Sequence, residues 1–361
     1  MEIKTIIKRA AEEAGFDLCG VAPASDSPEL KYFPGWIDAG HAGEMKYMEA
    51  RDEHGNFKRA SLASVAPWAR SVIVCATNYN TDHPYSTQVS DPARGWISRY
   101  AWSRDDYHDA VLRRLKHVEE VVLQHLWSGG RPRPPDLTTR SYVDTGPIVE
   151  RVYAKYAGVG WIGKNTCIIN QQKGSWLFLG VILTSLELEP DLPAPDRCGT
   201  CTRCIEACPT DAILAPYQLD SNKCISYLTI EKRGSIPEDL RAGMGPHIFG
   251  CDICQDVCPW NRKAPSSDAP EFGPRPGLFN PALAWLAEMT PEEFRETFRG
   301  SPIRRTKHSG LRRNTAIAMG NSRKPEFLSQ LEKLALDPDE SVAESARWAK
   351  THLLKPKQQG V

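Results

Sequence analysis

Apolar positions along the chain follow two rhythms. Ile3, Ile6, Ile7, Ala10 and Ala14 recur at helical spacing with charges between them, which predicts an amphipathic helix rather than a leader segment. Ser71-Val-Ile-Val-Cys-Ala76 is a continuous apolar run of strand length after Pro67. Val111, Leu115, Val118, Val122 and Leu126 make a helical stripe, with Asp105 and Asp106 placed to cap it. Ser128 to Pro135, rich in Gly and Pro, breaks that helix. Arg140 to Asp144 reads as a strand ending at Asp144, and Val149 to Ala157 as a helix. Gly158 to Gly163 reads as a glycine-rich turn, followed by strand candidates Thr166 to Asn170 and Trp176 to Thr184.

Beyond this mixed region the pattern changes. Glu189 to Pro195 is a Pro-rich linker, residues 198 to about 262 are dense in cysteine, and Ala264 to Pro281 is again Pro-rich. Phe327, Leu328, Leu331 and Leu334 then form one helical stripe, Asp337-Pro338 interrupts it, and Val342, Ala346, Ala349 and Leu353 form another. Two short helices joined in this way look like one HEAT-type repeat. A single repeat cannot bury its own face, so it must dock on the rest of the chain. The expected class is α+β, divided at 1–187, 188–265 and 266–361.

The longest apolar stretches are strand-length, far from the roughly 20 residues of a membrane helix, so the expected setting is the cytoplasm, without a membrane. Lys plus Arg and Asp plus Glu both number 45, so any basic surface must be local. One stretch fits. Arg299, Arg304, Arg305, Lys307, Arg312, Arg313, Arg323 and Lys324 occur with no acidic residue among them. A solvated helix face is the plain reading; a face without carboxylates also suits phosphate contacts.

Cysteine usage narrows the class most. Eight of the 11 cysteines lie between Cys198 and Cys258. Cys198-x2-Cys201-x2-Cys204-x3-Cys208-Pro209 matches the bacterial ferredoxin run. Cys224 with Cys251-x2-Cys254-x3-Cys258-Pro259 repeats its end after a long insertion. In such pairs each run lends its last cysteine to the other cluster. Cys198, Cys201, Cys204 and Cys258 then hold one 4Fe–4S cluster, and Cys224, Cys251, Cys254 and Cys208 hold the second. Structural zinc, which favours separated pairs of knuckles, fits this spacing poorly. Cys19, Cys75 and Cys167 stand alone and read as small buried hydrophobes.

Two further features carry possible chemistry. Asp144 sits at a strand end before Thr145-Gly146-Pro147. A desolvated carboxyl there acquires a raised pKa and can act as a general acid; the competing reading is a turn or cap. Gly158-Val-Gly-Trp-Ile-Gly163 contains a G-x-G-x-x-G spacing but lacks a clear preceding strand. It is a weak dinucleotide signal, and such glycines also let a backbone approach a large cofactor.

Taken together, these segments resemble the epoxyqueuosine reductase family over nearly the whole chain. The resemblance rests on Gly43-Glu-Met-Lys-Tyr-Met48, Arg99-Tyr-Ala101 with Asp106-Tyr-His108, and Tyr142-Val-Asp-Thr-Gly146. It continues through Gly158-Val-Gly-Trp-Ile-Gly-Lys-Asn165, both cysteine runs, Cys224-Ile-Ser-Tyr-Leu-Thr-Ile-Glu231 and Leu311-Arg-Arg-Asn314.

The resemblance implies a nitroreductase-like α/β domain holding base-off cobalamin, a two-cluster ferredoxin-like module that feeds it, and a HEAT-like α-helical tail that helps hold tRNA. It implies reduction of epoxyqueuosine to queuosine in tRNA, with Asp144, protonated in a partly buried site, as proton donor. Cobalamin contacts then fall on Arg59, Ser98, Asp144, Ile168, Leu179 and Ser226, and tRNA contacts on Arg304, Arg305, Lys307, Arg312 and Arg313. The implied partners are tRNA carrying epoxyqueuosine and an external donor of flavodoxin or ferredoxin type, the chain itself being a monomer. Two rival classes share parts of this signature: a corrinoid reductase of dehalogenase type acting on a small molecule, and a pure electron carrier. The carrier would leave about 185 preceding residues without a purpose.

Overall fold

A computed structural model describes residues 2–127 and 137–354. The helix break expected over 128–135 lies outside the described residues.

The first part is built on a four-stranded antiparallel sheet in the order Leu18–Pro23, Ser71–Asn78, Leu177–Thr184, Thr139–Tyr142. Ser71–Asn78 lies in its interior and is buried at every position, which explains why its sequence is a continuous apolar run rather than an alternation. The strand still alternates by face. Ile73 and Cys75 join one core with Ile7, Ala10, Val111, Leu115 and Val118 from helices Ile3–Glu13 and Tyr107–Trp127. Val72, Val74 and Ala76 join the opposite core with Tyr153 and Ala154 of helix Glu150–Tyr156. The sheet is thus sandwiched between helices. Gly180 is required here, because a Cβ would lie 2.8 Å from Leu115 and 2.9 Å from Val111 of the packed helix.

Asp106 accepts from the His108 backbone N–H at 3.0 Å at the start of Tyr107–Trp127, as a capping side chain should. The expected glycine-rich turn is in part a β-hairpin, Trp161–Ile162 paired with Ile168–Ile169. Gly158 follows helix Glu150–Tyr156 with φ +71°, and a Cβ on Gly160 would come within 2.4 Å of the Ile169 carbonyl. A helix precedes these glycines and a strand follows, the reverse of a dinucleotide-binding turn.

The cysteine-rich region carries two short helices, Arg203–Glu206 and Ile253–Asp256, one within each cysteine run. It is tied to the first part by a parallel pairing of His247–Phe249 with Trp96–Ile97. The tail contains helices Leu283–Glu288, Pro291–Thr297, Lys307–Ser322, Leu328–Leu334 and Glu340–Leu354. Both predicted stripes face inward, and Asp339 accepts from the Ser341 N–H at 3.0 Å where the last helix begins. The tail docks as a lone repeat must. One apolar core joins Leu311, Met319, Leu331, Val342 and Ala346 to Trp96, Trp102, Ile248 and Phe249. Among the described residues no helix is long and apolar enough to cross a membrane.

Candidate functional site

A cavity of ≈ 420 Å³ opens where the sheet, the hairpin and the cysteine-rich region meet. Leu177, Phe178 and Leu179 enter it from the sheet, Thr166, Cys167 and Ile168 from the hairpin, and Tyr79, Tyr100 and Tyr107 add aromatic wall. Cys208, Cys224, Cys251 and Cys254 line it too. Cys208 therefore meets the three cysteines of the other run. Cys251 feels the charges of Cys224 and Cys208, whereas Cys258 feels those of Cys198 and Cys204. Cys208 of the first run thus shares a cavity with three cysteines of the second.

Ser98, Asp144, Ile168, Leu179 and Ser226 all line the cavity. Ser98 is buried, and its hydroxyl donates to Asp252, which also accepts from Trp96 Nε1 at 3.0 Å and the Arg99 N–H at 2.8 Å. Gly250 makes room for it, since a Cβ would lie 2.4 Å from Ser98 Cβ. Arg59, expected in the same set, stands apart from these. Arg59 does not line the cavity, because its guanidinium is held between the Tyr47 carbonyl at 2.7 Å and the Gly146 carbonyl at 3.0 Å. It anchors the bend that carries Asp144.

That bend follows strand Thr139–Tyr142. Asp144 has φ +55°, a left-handed conformation that Asp tolerates better than bulkier residues. Gly146 has no alternative, because a Cβ would strike the Tyr142 ring at 2.7 Å. The Asp144 side chain is 63% exposed, since it faces the open cavity.

Tyr107 Oη donates to Asp144 Oδ2 at 2.9 Å, and His108 Nε2 lies 3.6 Å from the same oxygen. The second distance is an ion-pair contact rather than a hydrogen bond. His108 Nδ1 is 2.7 Å from Asp106 Oδ1. The direct contact with the His108 side chain does most to hold the Asp144 carboxyl low, at about 2, against desolvation, with the Tyr107 hydrogen bond and then the His108 charge assisting. Burial alone pushes the His108 pKa down, but Asp106 and Asp144 lift it to about 9. The expected protonated Asp144 is therefore corrected: near neutral pH the proton sits on His108 and Asp144 is its counterion.

Three lining residues had no assigned role in the sequence reading. Glu150 opens helix Glu150–Tyr156 and resembles an ordinary acidic first-turn residue. Cys167 is not an isolated hydrophobe; it lines the cavity together with Cys254. Tyr107 was visible only as part of Asp-Tyr-His. Cys19 and Cys75, by contrast, are register partners on adjacent strands with Sγ atoms 3.7 Å apart.

The basic stretch divides. Arg304 and Lys307 are exposed, with no side-chain partner among the described residues. Arg305 pairs with Glu231 at 2.5 Å, and its charge is felt at Asp144. Arg312 pairs with Asp337. Arg313 is 1% exposed and donates to the carbonyls of Leu228 at 2.8 Å, Lys232 at 2.9 Å and Gly234 at 2.7 Å. The expectation of an Arg313–phosphate contact is thus wrong: this side chain pins the tail to the cysteine-rich region.

Residues 197–261 match the family described as "4Fe-4S double cluster binding domain", and residues 59–145 match "Epoxyqueuosine reductase QueG, DUF1730". The chain is 45% identical to an epoxyqueuosine reductase of Synechocystis, over 82% of this chain and 98% of that protein. It is 39% identical to one of Xanthomonas campestris, over 95% and 94%. Among solved structures it is similar to an epoxyqueuosine reductase with a tRNA-Tyr epoxyqueuosine-modified stem loop. There the identity is 30%, the TM-score 0.84, and 98% of this chain and 90% of that one are covered.

Proposed function

The chain belongs to the epoxyqueuosine reductase family, and from that premise we propose that it reduces epoxyqueuosine to queuosine in tRNA at the cavity described above. The observation that carries this reading is the meeting, in one cavity, of four cysteines from two ferredoxin runs with Tyr107 and Asp144, the latter backed by His108. An electron carrier needs neither the cavity nor the acid.

The donor sets fit the implied groups. The two cross-run cysteine sets hold two 4Fe–4S clusters, which provide a route for single electrons into the cavity. Aromatic and aliphatic walls of Tyr79, Tyr100, Phe178, Ile168 and Leu179 suit a broad, largely apolar ring system such as cobalamin, with Ser98 and Ser226 at its polar edge. Cobalamin bound there supplies the two-electron chemistry at carbon. The sheet and its helices, residues 1–187, serve as the nitroreductase-like cobalamin-binding domain, residues 188–265 as the cluster module, and residues 266–361 as the HEAT-like tail.

The chain's own residues then manage position and protons. Tyr107 holds Asp144 Oδ2 by a donated hydrogen bond, and Arg59 holds the bend behind it. Asp106 accepts from His108 Nδ1, which leaves Nε2 toward Asp144. Asp144 is the group that faces the departing oxygen, and His108 supplies the proton that passes through it. The exposed Arg304 and Lys307, with Arg305 shared with Glu231, meet phosphates and position the RNA without reading its sequence. The protein works as a cytoplasmic monomer, with electrons delivered by an external flavodoxin- or ferredoxin-type donor.

The test is reconstitution with iron, sulfide and cobalamin, then incubation with an epoxyqueuosine-containing tRNA stem loop and a low-potential reductant. The expected result is a corrinoid spectrum on the purified protein and loss of one oxygen from the modified base. A protein that binds no corrinoid, or a loaded protein that leaves the epoxide intact, overturns the reading.

A further inference from the structure

Converting an epoxide to an alkene breaks two C–O bonds and consumes two electrons and two protons, releasing one water. The Asp144–His108 pair holds one mobile proton near neutral pH. The Tyr107 phenol does not readily release its own, because burial and Asp144 raise its pKa well above the usual value. A second acid at the cavity supplies the other proton without that pair having to be recharged between the two cleavages.

Glu150 lies on the same cavity as Asp144. Its Oε1 is buried and has no hydrogen-bond partner. A buried carboxyl oxygen without a partner is rare, because the desolvation cost is uncompensated. An acidic residue in a helix's first turn is ordinarily stabilised in its charged form, but here the balance is reversed. Desolvation, then the Asp144 charge, push the Glu150 pKa up to about 7, against a hydrogen bond from its own backbone N–H and the charges of Arg151 and Arg59, which favour the ionised form. A substantial neutral fraction at neutral pH thus gives the cavity lining a second carboxyl that can hold a proton.

We propose that Glu150 is the second acid of this site, donating the proton with which the oxygen finally leaves as water. The first C–O cleavage produces an alkoxide that takes its proton from the Asp144–His108 pair. The second cleavage would expel hydroxide; Glu150 protonates it, so that water departs. The two electrons come from an external one-electron donor through the iron–sulfur clusters, and both acids are reprotonated from solvent. This inference rests on the proposed reaction.

The experiment compares the cluster- and cobalamin-loaded wild type with Glu150→Gln and Glu150→Asp. For Glu150→Gln, kcat on the epoxyqueuosine stem loop should fall by about tenfold to a thousandfold, with RNA affinity unchanged. The wild-type dependence of kcat on a group near pH 7 should vanish, and Glu150→Asp should recover part of both. Infrared difference spectra without substrate should show a protonated-carboxyl band in the wild type that titrates near pH 7 and is missing in Glu150→Gln. A Gln variant with wild-type kcat and pH profile, or with that band retained, overturns this inference alone. A wild type that leaves the epoxide intact overturns the proposed reaction as well.

Discussion

His108 Nε2 lies 3.6 Å from Asp144 Oδ2, and the other ring nitrogen is 2.7 Å from Asp106. An imidazolium between two carboxylates is stabilised from both sides. Asp144 is therefore a proton conduit rather than a proton store: it is a strong acid when loaded, and His108 is the reservoir that loads it.

The first prediction follows from that arrangement. The His108 pKa is raised to about 9, so the ring is charged below that pH and the donor form is lost as pH rises through it. Wild-type turnover should fall in two stages on the alkaline side, the first near pH 7 with Glu150 and the second near pH 9 with His108. His108→Gln should slow the reaction about tenfold to a thousandfold and remove the second stage alone. A Gln variant that keeps the fall near pH 9 would assign it to another group.

Asp144→Asn keeps the shape of the side chain and removes its ability to pass a proton. Turnover should be lost while the visible spectra of the clusters and of cobalamin are retained. Near-normal conversion of the epoxide by this variant would leave Asp144 as a bend-forming residue with φ +55° and no part in the chemistry.

Exchange of cysteines between the runs makes a crossed prediction. Cys258→Ala should damage the cluster of Cys198, Cys201 and Cys204, and Cys208→Ala the cluster of Cys224, Cys251 and Cys254. Mössbauer spectra of each variant identify which cluster is altered. Finding that each run alone retains a complete cluster would refute the cross-ligation.

RNA binding should separate the exposed cations from the buried one. Replacing Arg304 and Lys307 by Ala should weaken stem-loop binding and lower the log–log salt slope by roughly 0.7 to 0.9 per lost contact. Arg313→Met should instead destabilise the fold by about 3 kcal/mol, since a buried side chain bonded to three carbonyls is removed. Fluorescence anisotropy over a salt series and thermal melts distinguish the two effects. An unchanged slope in the Arg304/Lys307 variant would mark these residues as a solvated face.

What the sequence alone determined was what local spacing encodes. Cysteines three and four residues apart define the cluster loops, because one short turn can ligate several corners of a cubane. The stripes at Val111 to Leu126 and at Val342 to Leu353 define helix faces, because side chains one turn apart share a side. Asp144 was visible as a carboxyl at a strand end beside a glycine. Tertiary structure decided what depends on residues far away in the chain. Arg313 is withdrawn from RNA by carbonyls some 80 positions earlier, Cys167 is brought to Cys254, and Arg59 is claimed by the Tyr47 and Gly146 carbonyls. The proton inventory of the cavity belongs to the same class. Asp144 is held low and Glu150 high because one faces His108 while the other's carboxyl is desolvated beside that same carboxylate. Spacing along the chain carries no record of such neighbours, since desolvation and charge act through space.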